Sequence, residues 1–223
     1  MNKPYKIVVF DLDGTLVNSL YDLGNSVNKG LIKIGAEPHP IEKYKTFVGN
    51  GREKLIERAM GNLYIDEEKR KIVRDTFNTE YALHSNDNTE DYDGCSELLE
   101  DLKNAGILTA VLSNKPDEYV PEILKKIYPH HTFTEAWGQK PEYKCKPHKD
   151  SLYAMLKIHN INPHECLYVG DSDVDVFTAQ NAGVDMVGVD WGFRGKEELL
   201  RAGAKRVVSK AEEIFKIAVG ENE

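Results

Sequence analysis

The run Ile7-Val8-Val9-Phe10 passes directly into Asp11-Leu12-Asp13-Gly14-Thr15, and this junction constrains the fold more than any other stretch. Four apolar residues in a row read as a short buried strand. Carboxylates two residues apart point to opposite faces of an extended strand. Where Gly14 lets the chain turn, both can reach one site. Open α/β sheets place their ligands at the carboxyl ends of strands. Alone, an aspartate before glycine is also an ordinary turn.

Three later clusters recur in the same context. Ser113-Asn114 follows the apolar run Ile107 to Leu112, and Gly170-Asp171-Ser172-Asp173-Val174-Asp175 follows Cys166-Leu167-Tyr168-Val169. Between them stands Lys146-Pro147, at the head of an expected helix. Each alone has a bland reading as a turn, a capping pair or a solvated charge. In this order, and at strand ends, they form a set of groups suited to one anion site.

Between the first strand and this series the pattern is helical. Leu16, Leu20, Leu23, Val27, Leu31 and Ile34 recur at three- and four-residue spacing and stop at Gly35. Ile41 to Val48 reads as a short helix, Gly49-Asn50-Gly51 as a tight turn, and Leu55 to Met60 as a further helix. Glu67 to Tyr81 follows as a long helix with Ile72, Val73, Phe77 and Tyr81 as its buried stripe. From Asn86 onward, strands and helices alternate. The expected helices are Cys95–Asn104, Tyr119–Ile127, Lys149–His159, Val176–Ala182, Lys196–Ala202 and Ala211–Val219. The expected strands are Ile107–Leu112, Phe133–Ala136, Leu167–Val169, Met186–Val189 and Val207–Val208. This is an α/β pattern: a doubly wound parallel sheet with right-handed crossovers and an inserted α-helical unit. The expected division is residues 1–15 and 87–223 for the sheet-containing core and 16–86 for the helical insertion.

The 223 residues suffice for such a core, and 40% hydrophobic with 30% charged residues is an ordinary globular composition. A formal net charge of -8 argues against nucleic acid as a main partner, while leaving room for a locally positive pocket for a small anion. Cys95, Cys145 and Cys166 form no C-x-x-C pair and no zinc spacing, and read as reduced thiols. No apolar run approaches a membrane span and no signal peptide is evident, so the expectation is a cytoplasmic protein without a membrane partner. Its oligomeric state is left open between monomer and dimer.

Acid pair, hydroxyl, lysine and acid cluster, in this order from Asp11 to Asp175, resemble the haloacid dehalogenase-like hydrolase superfamily. The resemblance implies a Rossmann-like core with a helical cap of the C1 type. It also implies Mg²⁺-dependent phosphatase chemistry on a small phosphorylated metabolite. By the same resemblance Asp11 attacks phosphorus to give an aspartyl-phosphate, and Asp13 is the acid and then the base. Lys146, rather than its neighbour Lys144, then neutralises the phosphate and orients Asp11. Mg²⁺ favours a few carboxylates plus water and phosphate; Asp11, Asp171, Asp175 and Asp13, the last through its main-chain carbonyl, are the implied set. Asp173 is better placed as a helix N-terminal residue. Thr15, Ser113 and Asn114 are implied at the phosphate, and Asn50, Gly51 and Arg52 at the remainder of the substrate.

Phe47-Val48-Gly49-Asn50-Gly51, Tyr92-Asp93-Gly94 and Gly188-Val189-Asp190-Trp191-Gly192 are similar to segments of bacterial phosphoglycolate phosphatases and their relatives, with Asn18 a departure from the Asp often found there. Arg52 could pair with a substrate carboxylate or be a solvated helix-start charge. Pyrophosphatase, nucleotidase, sugar phosphatase and phosphomutase activities share all these motifs. A receiver-like phospho-aspartate switch is the non-enzymatic alternative, at odds with the chain's length and its helical insertion.

Overall fold

The computed structural model describes residues 4–221. Strand β1 (Ile7–Phe10) is followed by β2 (Val17–Asn18), α1 (Leu20–Lys33), α2 (Arg52–Met60) and α3 (Glu67–His84). Then come β3 (Glu90–Asp91), α4 (Cys95–Asn104), β4 (Leu108–Pro116), α5 (Tyr119–Ile127), β5 (Glu135–Gln139) and α6 (Asp150–Ile158). The chain closes with β6 (Cys166–Gly170), α7 (Asp173–Ala182), β7 (Asp185–Val189), α8 (Gly195–Ala202), β8 (Val207–Val208) and α9 (Ala211–Ala218).

Six strands form one sheet in the order β5-β4-β1-β6-β7-β8, and every pairing in it is parallel. β1 lies between β4 and β6, with Ile7 to Phe10 in register with Leu108 to Val111 on one side and Cys166 to Val169 on the other. Such a strand has no solvent face, which explains its unbroken apolar run. Alternation divides it: Val8 and Phe10 join the core under α4, α5 and α9, while Ile7 and Val9 join the core under α6 and α7. The chain builds β4 and β5 to one side of β1 and β6 to β8 to the other. The strand order therefore reverses beside β1, where a crevice opens at the strand ends.

The helices α1 to α3 enclose an apolar cluster of their own, in which Leu20, Leu23, Val27 and Leu31 of α1 meet Val73, Phe77 and Tyr81 of α3. Ile72 departs from its expected place in that stripe and is exposed, because Val73 takes the inward position. Leu16 belongs to the sheet core and not to the helical stripe. The helix expected from Leu16 begins at Leu20, since Val17–Asn18 is extended and pairs antiparallel with Glu90–Asp91. This two-stranded ribbon joins the outward and return connections of the helical block. β4 runs on through Ser113 and Asn114 to Pro116, beyond its expected end at Leu112, and α7 begins at Asp173, three residues before Val176.

The return connection is fastened by Asp22 of α1, which is buried. Its carboxylate accepts from the main-chain N–H of Asn88 at 3.1 Å, from Asn88 Nδ2 at 2.8 Å and from Thr89 Oγ1 at 2.7 Å. Hydrogen bonds to a charged group contribute more than neutral ones, and their loss strands the donors. Asp22→Ala is expected to cost about 2–3 kcal/mol, read as a fall in the urea midpoint, with Asp22→Asn recovering part of it.

Candidate active site

Three strand ends converge at the crevice. Asp11 follows β1, its N–H bonded to the Val169 carbonyl of β6 at 2.8 Å. Ser113 and Asn114 lie in the last part of β4, and Asp171 follows β6. Each position is set by the sheet register rather than by a flexible loop. Asp175 comes from the first turn of α7, where its Oδ2 accepts from Ser172 Oγ at 2.7 Å and from Ser172 N at 3.2 Å. This capping arrangement turns the carboxylate back toward the strand ends.

Asp11, Asp171 and Asp175 are all buried and offer carboxylate oxygens within 4.8 Å of one another. Among the described residues their one ion-paired cation is the ammonium of Lys146, 2.8 Å from both Asp11 Oδ1 and Asp175 Oδ1, with the Tyr168 hydroxyl at 3.1 Å. Lys146 reaches this place from the loop before α6, not from a helix. Its backbone is held by Asn114, whose Oδ1 accepts from Lys146 N at 2.9 Å and whose Nδ2 donates to Lys146 O at 3.0 Å. Lys144 is exposed, so of the two lysines it is Lys146 that lies among the carboxylates.

The charges do not balance. At 4.8 Å two like charges still repel by about 3–4 kcal/mol at an effective dielectric near 20. Burial pushes Asp11 up to about 7, against the pull of Lys146 and with the push of Asp175. Burial, then the charges of Asp175 and Asp11, hold Asp171 well above the usual carboxylate range. Burial would lower Lys146, but Asp11 and Asp175 outweigh it and raise it well above its ordinary value.

Asp171 is wedged in position. Its Oδ2 accepts from Phe193 N at 2.7 Å. A Cβ on Gly192 would lie 2.3 Å from both the Asp171 Cβ and the Gly14 carbonyl, so only glycine permits this approach. Gly14, at φ +91°, has the backbone conformation that glycine favours at the motif's turn.

Asp13 stands apart from the carboxylate trio. Lys115 Nζ donates to its Oδ1 at 2.8 Å and its Oδ2 at 3.0 Å, and Ser19 Oγ also donates to Oδ1. Its carboxylate is thus not among the clustered oxygens, and a part in metal binding would fall to its main-chain carbonyl. Asp173 is the first residue of α7 and accepts from Val174 N. Thr15 is buried, its hydroxyl without a partner among the described residues, and it lies outside the lining of the cavity described next.

A cavity of about 40 Å³ opens over Asp11 and Asp13, lined on the strand side by Ser113 to Pro116 and on the helical side by Leu23, Val48, Gly49, Gly51, Arg52, Leu55, Phe77 and Tyr81. Gly51 and Arg52 border it as expected, but Asn50 does not: its Oδ1 accepts from Arg58 Nη2 at 2.7 Å. Asn114 borders it too, yet both ends of its amide are engaged, with Lys146 and with the Gly49 carbonyl at 3.1 Å. Its amide fastens the helical turn to the sheet rather than standing free for a ligand.

The family model of the haloacid dehalogenase-like hydrolases matches residues 8–189, which span the acid pair, Ser113 to Lys115, Lys146, Asp171 and Asp175 but not Gly192 and Phe193. The chain belongs to that family. Among its relatives, a phosphoglycolate phosphatase of Mannheimia succiniciproducens is 37% identical over 200 residues, 86% of this chain and 89% of that protein. One from Vibrio parahaemolyticus is 30% identical over 217 residues, covering 95% of each. A crystal structure from Lactobacillus delbrueckii subsp. bulgaricus superposes with a TM-score of 0.92 at 28% identity, covering 98% of this chain and all of that one.

For a haloacid dehalogenase-like hydrolase, Lys115 is the group that sequence reading passed over. It is buried, and although burial alone would lower it, Asp13 and Tyr81 hold it above its ordinary value. The signal was its place directly after Ser113-Asn114: a lysine still inside a buried strand requires a carboxylate partner.

The raised pKa of Asp11 fixes the sign of a pH effect. Between its unfolded value near 3.8 and its folded value of about 7, the folded state binds more protons than the unfolded one. Stability contributed there falls as pH rises. The cation-free protein is therefore expected to melt lower at pH 7.5 than at pH 5.5 because of this group, with the difference reduced in Asp11→Asn. Thermal scans at the two pH values in chelator test it.

Proposed function

We propose that the protein hydrolyses a small phosphate monoester through Asp11, with 2-phosphoglycolate as the substrate. The observation that carries this reading is the position of Asp11. Among the described residues it is the one member of the buried carboxylate trio that also lines the cavity. A nucleophile so placed meets a phosphoryl group entering from the cavity, with Lys146 at 2.8 Å to offset its charge.

The donor set fits Mg²⁺. All its clustered groups are carboxylates, hard oxygen donors, and one lysine leaves an excess of negative charge for a cation to offset. Asp11 and Asp171 would hold it directly, with the Asp13 carbonyl. Asp175, whose oxygens already serve Lys146, Tyr168 and Ser172, would stand behind them. When bound, Mg²⁺ supplies positive charge that offsets the phosphoryl oxygens.

The chain's own groups then do the chemistry. A carboxylate oxygen of Asp11 forms a bond to phosphorus as the bond to the ester oxygen breaks, and Asp13 gives its proton to that leaving oxygen. Water next attacks the phosphorus of the aspartyl-phosphate and passes a proton back to Asp13. Phosphate leaves and Asp11 is restored. Lys146 holds Asp11 in line, while the Ser113 hydroxyl, buried at the cavity edge, faces the phosphoryl oxygens. The helical block of residues 16–86 acts as a cap. Its apolar wall excludes water, and the cavity it closes over Asp11 restricts access to small esters. Relatives named phosphoglycolate phosphatase point to a small ester of that class.

Phosphate release from a panel of 2-phosphoglycolate, pyrophosphate, nucleoside monophosphates, sugar phosphates and an aryl phosphate, with Mg²⁺ and with chelator, tests the reading. Turnover that requires the cation and favours 2-phosphoglycolate is expected; preference for a nucleotide or hexose phosphate would overturn the substrate. In the same assay Asp11→Asn abolishes turnover, and Lys146→Ala lowers it by about 10²-fold or more. Lys144→Ala leaves it within about threefold, as befits an exposed surface charge.

A further inference from the structure

The helical wall of the cavity carries hydrogen-bonding capacity that the phosphoryl chemistry does not use. Tyr81 of α3 is 1% exposed, and its hydroxyl faces the Lys115 ammonium, itself a donor, so its proton has no acceptor among the described residues. A buried hydroxyl left in that state carries a desolvation cost that a ligand can remove. The ring cannot swing away to find a partner. It stacks on Phe77 at 5.2 Å and meets the edge of Tyr119 at 5.0 Å. Burial holds the phenol above its ordinary pKa, so the group is a donor at neutral pH.

The strongest charge acting on it is a cation, Lys115, with Asp13 and Asp22 opposing it more weakly. The Lys115 ammonium lies 4.9 Å from the Tyr81 ring centroid. Arg52, on the helical wall, has an Nε without a hydrogen-bond partner among the described residues and forms a loose ion pair with Glu53 at 3.5 Å. Nη1 of Arg52 is braced by Asn78 at 3.0 Å, which fixes the guanidinium at the rim. Leu23, Val48, Leu55 and Phe77 make up the apolar remainder of this wall. An ammonium, a guanidinium and a phenol O–H in an apolar setting match an acceptor that bears negative charge.

We infer that Tyr81 is a specificity-determining residue, whose hydroxyl donates to a second anionic group of the ester, a carboxylate, with Lys115 and Arg52 supplying the charge. This rests on the hydrolase reading above and deepens it, since it names the group that tells one small phosphoester from another. A site built to hydrogen-bond one substrate group discriminates strongly against an analogue without it.

The test compares kcat/KM for 2-phosphoglycolate and for 2-hydroxyethyl phosphate, an ester of similar size without the carboxylate, in the unmodified protein and in Tyr81→Phe. The ring and its packing survive this substitution. Tyr81→Phe is expected to lose roughly tenfold or more on 2-phosphoglycolate, mainly through KM, and to stay within about twofold on the hydroxyethyl ester. Arg52→Gln, at a partly exposed helix start, gives an independent second variant and should lower the same ratio. Equal losses on both esters, or an unchanged ratio, would overturn the inference and leave the hydrolase standing; a buried water bonded to Tyr81 gives that result. If the unmodified protein releases phosphate from neither ester, the hydrolase reading fails and the inference with it.

Discussion

One lysine between buried carboxylates governs the architecture of this site. Lys146 touches Asp11 and Asp175 at 2.8 Å each, with side-chain exposure of only 3%. Removing such a charge from water is costly, and the cost is offset only when the partners are close and their remaining lone pairs are satisfied. Much of the surrounding structure meets that condition. Asn114 bonds the main chain of Lys146 on both sides, Tyr168 takes one ammonium proton, and Ser172 satisfies the second oxygen of Asp175. β4, β6 and α7 therefore cannot shift independently without stranding a buried charge.

The same contacts reach into the helical block. Asn114 donates to the Gly49 carbonyl, and Arg194 Nη2 donates to the Val48 carbonyl at 2.9 Å. Arg194 directly follows Phe193, whose N–H is bonded to Asp171 and whose ring packs against the helical cluster. Arg58 braces the turn from the other side through the Phe47 carbonyl and Asn50. The turn that brings Gly51 and Arg52 to the cavity is thus tied to two elements that also carry site residues. Geometry at the carboxylates and geometry at the far wall are linked through short runs of packed, hydrogen-bonded chain.

How much of this was legible in the sequence follows from range. Strand ends were readable because a buried strand leaves an apolar run, and Asp11, Ser113 and Asp171 stand where such runs lead into polar clusters. The helical stripes of α1 and α3 were readable from spacing alone. The ribbon of Val17–Asn18 with Glu90–Asp91 was not, since strands of two residues carry no periodicity and their pairing spans more than seventy positions. The partners of Asn50 and Asn114 were not readable for a related reason: an amide's partners are chosen in three dimensions, here Arg58, Lys146 and Gly49. Lys115 looks like a solvated charge until the register places it inside the sheet. Arg194 carries no local signal at all.

On the proposed reading, the two sides of the cavity differ in the groups they offer, and the difference would orient an ester with two acidic ends. On the sheet side Asp11 borders the cavity, with Asp171, Asp175 and one lysine behind it, so an anion is repelled there unless a cation offsets the excess. On the helical side Arg52 and the Tyr81 hydroxyl offer donors, and Lys115, at the end of β4 across from Tyr81, adds its ammonium while pairing with Asp13. A carboxylate gains most against the donors. A phosphoryl group, with more oxygens and more charge, gains most where a cation and Lys146 can both reach it. Binding in the reverse sense would set the carboxylate against Asp11 and leave phosphorus out of reach of the nucleophile. Segregated charge in a small apolar-walled space thus selects the productive orientation before any bond to phosphorus forms.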